Sequence, residues 1–306
     1  MTVSQPYSSY PSPQPPVGYA PQPQPGYPMQ APPMQAPPMQ QQQPMRPAAS
    51  GPRPNILNMV ASEWTKLWTT RATLWLLASA LVVMPAMDLL LTEHYSGNEV
   101  VFRDQFLSNS AIAALTAVML FVPFGTLVIT TEYTSGMMRN TLIAAPRRLE
   151  VLTAKVLVLF LGSFLAGTAL CAVCVLTAKS MLPGNHGDAA PSSEITEAIF
   201  GGGLFLALCA LLSFAIGTLL RRSAPTVVIL MALIFLPFVI GVVSGGTPGG
   251  LGDKLMSYSL FSGLFAQFSQ HMTDNAPSGT SMLELVGVVT VVLLGGGYAA
   301  FLLRDA

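Results

Sequence analysis

Charge is what this chain has least of. Only 9% of its 306 residues are Asp, Glu, Lys or Arg, against roughly a quarter in a soluble domain whose surface must face water. The 14 basic and 14 acidic residues cancel, so overall charge gives a nucleic acid nothing to bind. Histidine and cysteine are scarce too, with 3 of each. His94, His186 and His271 stand singly in polar stretches and suggest no metal set. Cys171, Cys174 and Cys209 lie inside apolar runs, and the Cys171-x-x-Cys174 pair has no further ligand near it in sequence. A cysteine so placed reads as a small hydrophobe facing lipid or another helix. Lys66, Lys155, Lys179 and Lys254 are the only lysines, and none follows a glycine. The Gly-Lys-Ser/Thr core of a phosphate-binding loop is therefore missing, and no cofactor, metal or catalytic residue is expected in this chain.

What the chain has is apolar sequence in blocks. Hydrophobic residues make up 51%, with a mean hydropathy of +0.54. Six runs approach the length of about 20 residues that a helix needs to cross a bilayer. They cover roughly 72–91, 111–130, 156–178, 198–219, 225–244 and 283–303. The fold class expected is an all-α membrane protein of six transmembrane helices, preceded by an amphipathic interfacial helix and a disordered N-terminal tail. The tail, residues 1–54, is rich in Pro, Gln and Met, repeats "MQAPPMQAPPMQ", and has no charge before Arg46. Such a segment cannot bury enough apolar area to offset its ordering entropy. It has neither the charged start nor the apolar stretch of a secretory signal, so cleavage is not expected. The transmembrane domain is assigned to 55–306.

Between tail and first run stands "NILNMVASEWTKLWTTR", residues 55–71. Ile56, Leu57, Val60, Trp64, Leu67 and Trp68 recur at helical spacing, while Asn58, Ser62, Glu63, Lys66 and Thr69 or Thr70 cover the rest. The pattern predicts an amphipathic helix with Trp64 and Trp68 at the membrane interface and Arg71 just before the first span. Glu63 and Lys66 argue against a mere extension of that span, since both would then be immersed in lipid. Glycine clusters at 201–203 and 295–297 suit either close helix packing or local kinks. Basic residues set the orientation. Eleven (Arg46, Arg53, Lys66, Arg71, Arg139, Arg147, Arg148, Lys155, Arg221, Arg222 and Arg304) fall on one side, and Arg103, Lys179 and Lys254 on the other. Lys and Arg are retained in the cytoplasm, so both termini are expected there, in the cell membrane, with an even number of spans.

The stretch "ITTEYTSGMMRNTLIAAPRRLEVLTAK", residues 129–155, concentrates charge between two spans on that cytoplasmic side. Glu132, Gly136 and Arg139 stand at i, i+4 and i+7, which predicts one face of a helix continuing out of the second span. Pro146 would end it, with Arg147 and Arg148 next and Lys155 marking return to the bilayer. Arg147, Arg148 and Lys155 are accounted for as topology residues. Glu132 is not, and neither is a glycine inside a helix, where it costs about 1 kcal/mol relative to Ala. The stretch resembles the cytoplasmic loop of type-2 ABC exporter permeases, which carry a Glu, an aromatic, a Gly, an Arg, then Leu, Pro and Arg at this spacing. Asn140 departs from it, where a small or basic residue is more usual. "SEWTKLWTTRATLW" is similar to that family's N-terminal amphipathic segment. "KLMSYSLFSGLFAQF" resembles the short re-entrant helices before its last span. The likeness spans about 55–306.

The resemblance implies a permease that couples to a separate ABC ATP-binding protein holding ATP and Mg, and that pairs with a second permease copy, identical or a sister chain. It implies Glu132, Tyr133, Gly136, Arg139, Pro146, Arg147 and Arg148 as the coupling region. Glu63, Trp64, Lys66, Trp68 and Arg71 would form the surface helix that moves with it. Apolar spans without a charged pocket are compatible with efflux of a hydrophobic or amphiphilic drug, natural product or lipid. Two rivals remain on the residues alone. An ion-coupled carrier needs an ionisable group inside the bilayer, and only Asp88, near the outer end of the first span, qualifies. A non-transporting anchor or immunity protein would need neither an ATPase nor the loop.

Overall fold

The computed structural model describes residues 56–96, 105–136, 148–181, 190–244, 249–271 and 273–304. The tail assigned to 1–54 falls outside them, as do Arg139, Pro146 and Arg147. The described residues form helices and no strand. The helices are α1 (Ile56–Thr69), α2 (Arg71–Ser96), α3 (Gln105–Ser135), α4 (Arg148–Met181), α5 (Ser192–Leu220), α6 (Ser223–Val243), α7 (Leu251–Ser257), α8 (Leu260–Ala266) and α9 (Gly279–Arg304). Six of them, α2 to α6 and α9, are long and apolar enough to span a bilayer. A helix satisfies nearly all its backbone polar groups internally, the condition a lipid environment imposes; Pro85, Pro123 and Pro237 interrupt that ladder inside α2, α3 and α6. They contain the six apolar runs but for Ser244, which caps α6, and α3 and α4 overrun theirs at the ends that flank residues 137–147.

α5 is the hub. It packs against α3, α4, α6 and α9, and 16 of its 29 residues are buried. Small residues set its closest approaches. A Cβ on Gly125 of α3 would fall 2.1 Å from the Ala210 carbonyl oxygen, and one on Gly203 2.6 Å from the Thr168 backbone nitrogen. Those helices touch backbone to backbone, as dispersion-driven packing in lipid favours. The two glycine clusters resolve differently. Gly201, Gly202 and Gly203 meet Gln267, Cys171 and Thr168. Only Gly297 of the second cluster is a contact, against Thr218, while Gly295 and Gly296 face open space. The three cysteines are buried against neighbouring helices, Cys171 beside Gly202.

α5 and α6 are joined through Arg221, whose positive φ of 55° closes α5 with its N–H on the Gly217 carbonyl, and the extended Arg222. Pro225 then sits in the first turn of α6, where its missing N–H costs nothing. The semi-apolar patch before the last span is the short helix pair α7 and α8. Ser259 caps α8 by accepting from the Ser262 N–H at 3.0 Å. The Gln267 amide then ties α8 to α9 by donating to the Gly263 and Gly279 carbonyls at 3.2 and 2.8 Å. Asp88 is fully buried and accepts from the Ser110 hydroxyl at 2.9 Å. It is bound inside the bundle and does not snorkel.

Candidate coupling site

The first helix turns its charge inward. Met59, Glu63 and Leu67, at i, i+4 and i+8, are its buried residues. Ile56, Leu57, Trp64 and Trp68 point outward, Trp68 with 51% of its surface exposed. The outward tryptophans are as the sequence pattern predicts. The burial of Glu63 corrects that pattern, which placed Glu63 among the residues covering the polar surface. The reason lies in α4. Met59 and Val60 pack on Val151 and Ala154, and Leu67 reaches Gly162. α1 therefore runs along the first turns of α4, and Glu63 is carried over Lys155.

Lys155 Nζ lies 2.5 Å from Glu63 Oε2 and 2.6 Å from Glu132 Oε1. Lys66 Nζ lies 2.6 Å from Glu63 Oε1 and 3.4 Å from Glu132 Oε1. Two acids and two lysines thus close a neutral ring drawn from α1, α3 and α4. Glu63 and Glu132 are each 7% exposed and Lys155 2%. Buried charges persist only when paired and hydrogen-bonded, and here each lysine bridges both carboxylates. Burial works against the Lys66 charge, but the hydrogen bond and field of Glu63, then of Glu132, outweigh it and hold its pKa above the ordinary 10.5. Beside the ring is a cavity of about 330 Å³ bordered by Thr69, Thr70, Thr73, Thr131 and Ser135. Among the described residues, the second oxygen of Glu132 has no hydrogen-bond partner.

The ring corrects a second expectation. Lys155, expected only as a topology residue, is the most buried member of the cluster and pairs with two acids. A signal was available in the sequence: Lys155 follows Val151, Leu152 and Ala154 and directly precedes the apolar run 156–178, where a lone charge needs a partner. A third correction concerns the elbow. α3 ends at Ser135, and Gly136 has φ +70° with its N–H 3.4 Å from the Tyr133 carbonyl. Only glycine adopts that left-handed backbone without strain. Gly136 thus terminates α3 and is not inside a helix continuing out of the second span; Arg139 lies outside the described residues. Tyr133 is held from α5, with the Arg221 guanidinium 5.1 Å from its ring centroid. In the sequence Arg221 counts only among the basic residues that set the orientation, and nothing there pairs it with Tyr133. Arg71 opens α2, and Arg148 opens α4.

Among the described residues an all-helical bundle with six candidate spans defines the class, a polytopic membrane protein, with a charged ring joining α1, α3 and α4. Residues 59–237, more than half of the chain, match the ABC-2 family transporter protein family, and the chain belongs to that family as a membrane-spanning subunit. The match runs from α1 into α6. No curated protein matches the chain.

Proposed function

We propose that this chain is the permease half of an ATP-driven exporter, worked by a separate ATP-binding subunit through its 131–150 loop. The observation that carries the reading is the ring of Glu63, Lys66, Glu132 and Lys155. It joins the outgoing stem of the loop, α3, to the returning stem, α4, and joins both to α1. A push on the loop is then delivered to three helices as one body. Arg139, Pro146 and Arg147 would meet the partner, with Tyr133 and Gly136 shaping the near stem and Arg148 opening the far one. ATP and Mg belong to that partner.

Both termini would face the cytoplasm of the cell membrane, as the eleven-to-three division of basic residues indicates. A second permease copy would complete the path, and the cargo would be hydrophobic or amphiphilic, moving between the copies. Co-purification with a P-loop ATPase from native membranes is the first test. In that complex, Arg139→Glu with Glu132→Gln should leave insertion and ATP hydrolysis in place while transport falls to background. Full transport in the double variant would refute the coupling role.

A further inference from the structure

Coupling through the charged ring does not use the cavity beside it. The rim of that cavity includes Thr69 and Ser135, both exposed, and the half-buried Thr70. These residues stand where candidate span α2 begins and α3 ends, the depth at which a bilayer keeps its headgroups. Trp68, 51% exposed, precedes Thr69, at the level where an indole ring is favoured. The volume of about 330 Å³ is at the small end of ligand-sized sites. It holds one headgroup and leaves acyl chains outside.

The wall of this cavity offers acceptors. Thr69, Thr70, Thr73 and Thr131 line it. Each gives its hydroxyl proton to a backbone carbonyl, at 3.0, 2.8, 2.8 and 2.6 Å in turn. A hydroxyl has a single proton, so what these four can offer a ligand is lone pairs. A second observation is independent of the threonines. Glu132 also lines the cavity and is 7% exposed. Both lysines of the ring meet it at Oε1, while Oε2 is buried without a hydrogen-bond partner among the described residues. A buried acceptor of that kind asks for a donor. Lys66 lines the same cavity with its side chain 36% exposed. Carboxylates take two of the three N–H groups of its ammonium, which leaves one for an anion.

We propose that this cavity binds the headgroup of an ethanolamine phospholipid. The primary ammonium donates to Glu132 and to the threonine hydroxyls, and the phosphate takes the remaining N–H of Lys66. Two acids and two lysines make the ring neutral, so a zwitterion adds no net charge. A trimethylated head has no N–H to give. An anionic polyol head would set its charge beside Glu132 with no cation of its own to offset it. The inference goes beyond the coupling reading, because binding here requires no ATPase.

The test uses the full chain in phosphatidylcholine nanodiscs, with a phosphatidylethanolamine photoprobe whose diazirine lies beside the glycerol. Cross-links should map to 68–73 and 131–136. A matching phosphatidylcholine probe should label those segments roughly tenfold less, the worth of one or two hydrogen bonds. Glu132→Gln should remove the preference between the probes. Thr70→Val with Thr131→Val leaves the four ring charges in place and should weaken the preference roughly fivefold. Phosphoethanolamine in the buffer should not displace the lipid probe; displacement at equal concentration would mean a site for a soluble amine and would overturn the lipid assignment. Equal labelling by the two probes, or a preference that survives the threonine pair intact, would overturn the proposal. Cross-links confined to other segments would do so as well. None of these outcomes bears on the coupling test, which reads transport against ATP hydrolysis.

Discussion

Replacing Lys155 by methionine keeps the length and the apolar stem of the side chain and removes only the ammonium. Two carboxylates, each 7% exposed, would then face one another with Lys66 as their sole cation. Lys66 is 2.6 Å from Glu63 but 3.4 Å from Glu132, so Glu132 is left the worse compensated. Removing one partner of a buried ion pair costs about 3–5 kcal/mol. With Lys66 still in place the lower figure applies, about 3 kcal/mol, or roughly 6–12 °C in Tm for a bundle of this size. Thermal unfolding of the purified chain in nanodiscs, at one lipid ratio, reads this directly. A cycle with Glu63→Gln isolates the pair: the double variant should be less destabilised than the sum of the singles by at least about 1 kcal/mol. A loss under about 1 kcal/mol for Lys155→Met, or strict additivity in the cycle, would show that the ring holds nothing together.

Two further outcomes follow from other parts of the bundle. Gly203→Ala places a Cβ against the Thr168 backbone and should cost about 1–3 kcal/mol by forcing α4 and α5 apart; Gly295→Ala, facing open space, should be neutral or gain up to about 1 kcal/mol. Equal Tm shifts for the two would contradict the packing. Because the folded-state pKa of Lys66 is raised above 10.5, its contribution is fully present below that pH and fades as pH climbs through the folded value. The distance between spin labels at Leu57 and Leu157, both exposed, should stay constant from about pH 6 to about pH 9 and broaden only in stronger alkali. Broadening on acidification through neutrality would contradict the sign.

The spans were legible because bilayer thickness fixes the length of an apolar run, and nothing else in the chain mimics it. The surface helix was legible as a helix, though not the face it buries. Hydrophobic periodicity says which side is apolar, and in a bilayer the apolar side can be the outer one, as Trp64 and Trp68 show. Glu132 drew notice as an acid on the basic side. Its pairing did not, because Lys66 and Glu63, noted in their own helix, are remote in sequence and Lys155 passed for a topology marker. Gly136 was placed in the right segment for the wrong reason: spacing could not tell a helix-interior glycine from one that ends the helix. The amide of Gln267, bridging α8 to α9, had no sequence signature.

The inward turn of Glu63 also has a consequence for biogenesis. Its short contact is with a residue 92 positions later in the chain, so a growing polypeptide makes the acid long before the base that receives it. Until the third span has been threaded, α1 has no seat on the bundle, and its carboxylate must wait at the aqueous surface with Lys66. A ribosome-stalled chain ending before residue 148 should therefore leave a cysteine at position 63 open to water-soluble thiol reagents, and one ending after 181 should shield it. Equal labelling of the two would mean that α1 docks without its late partner.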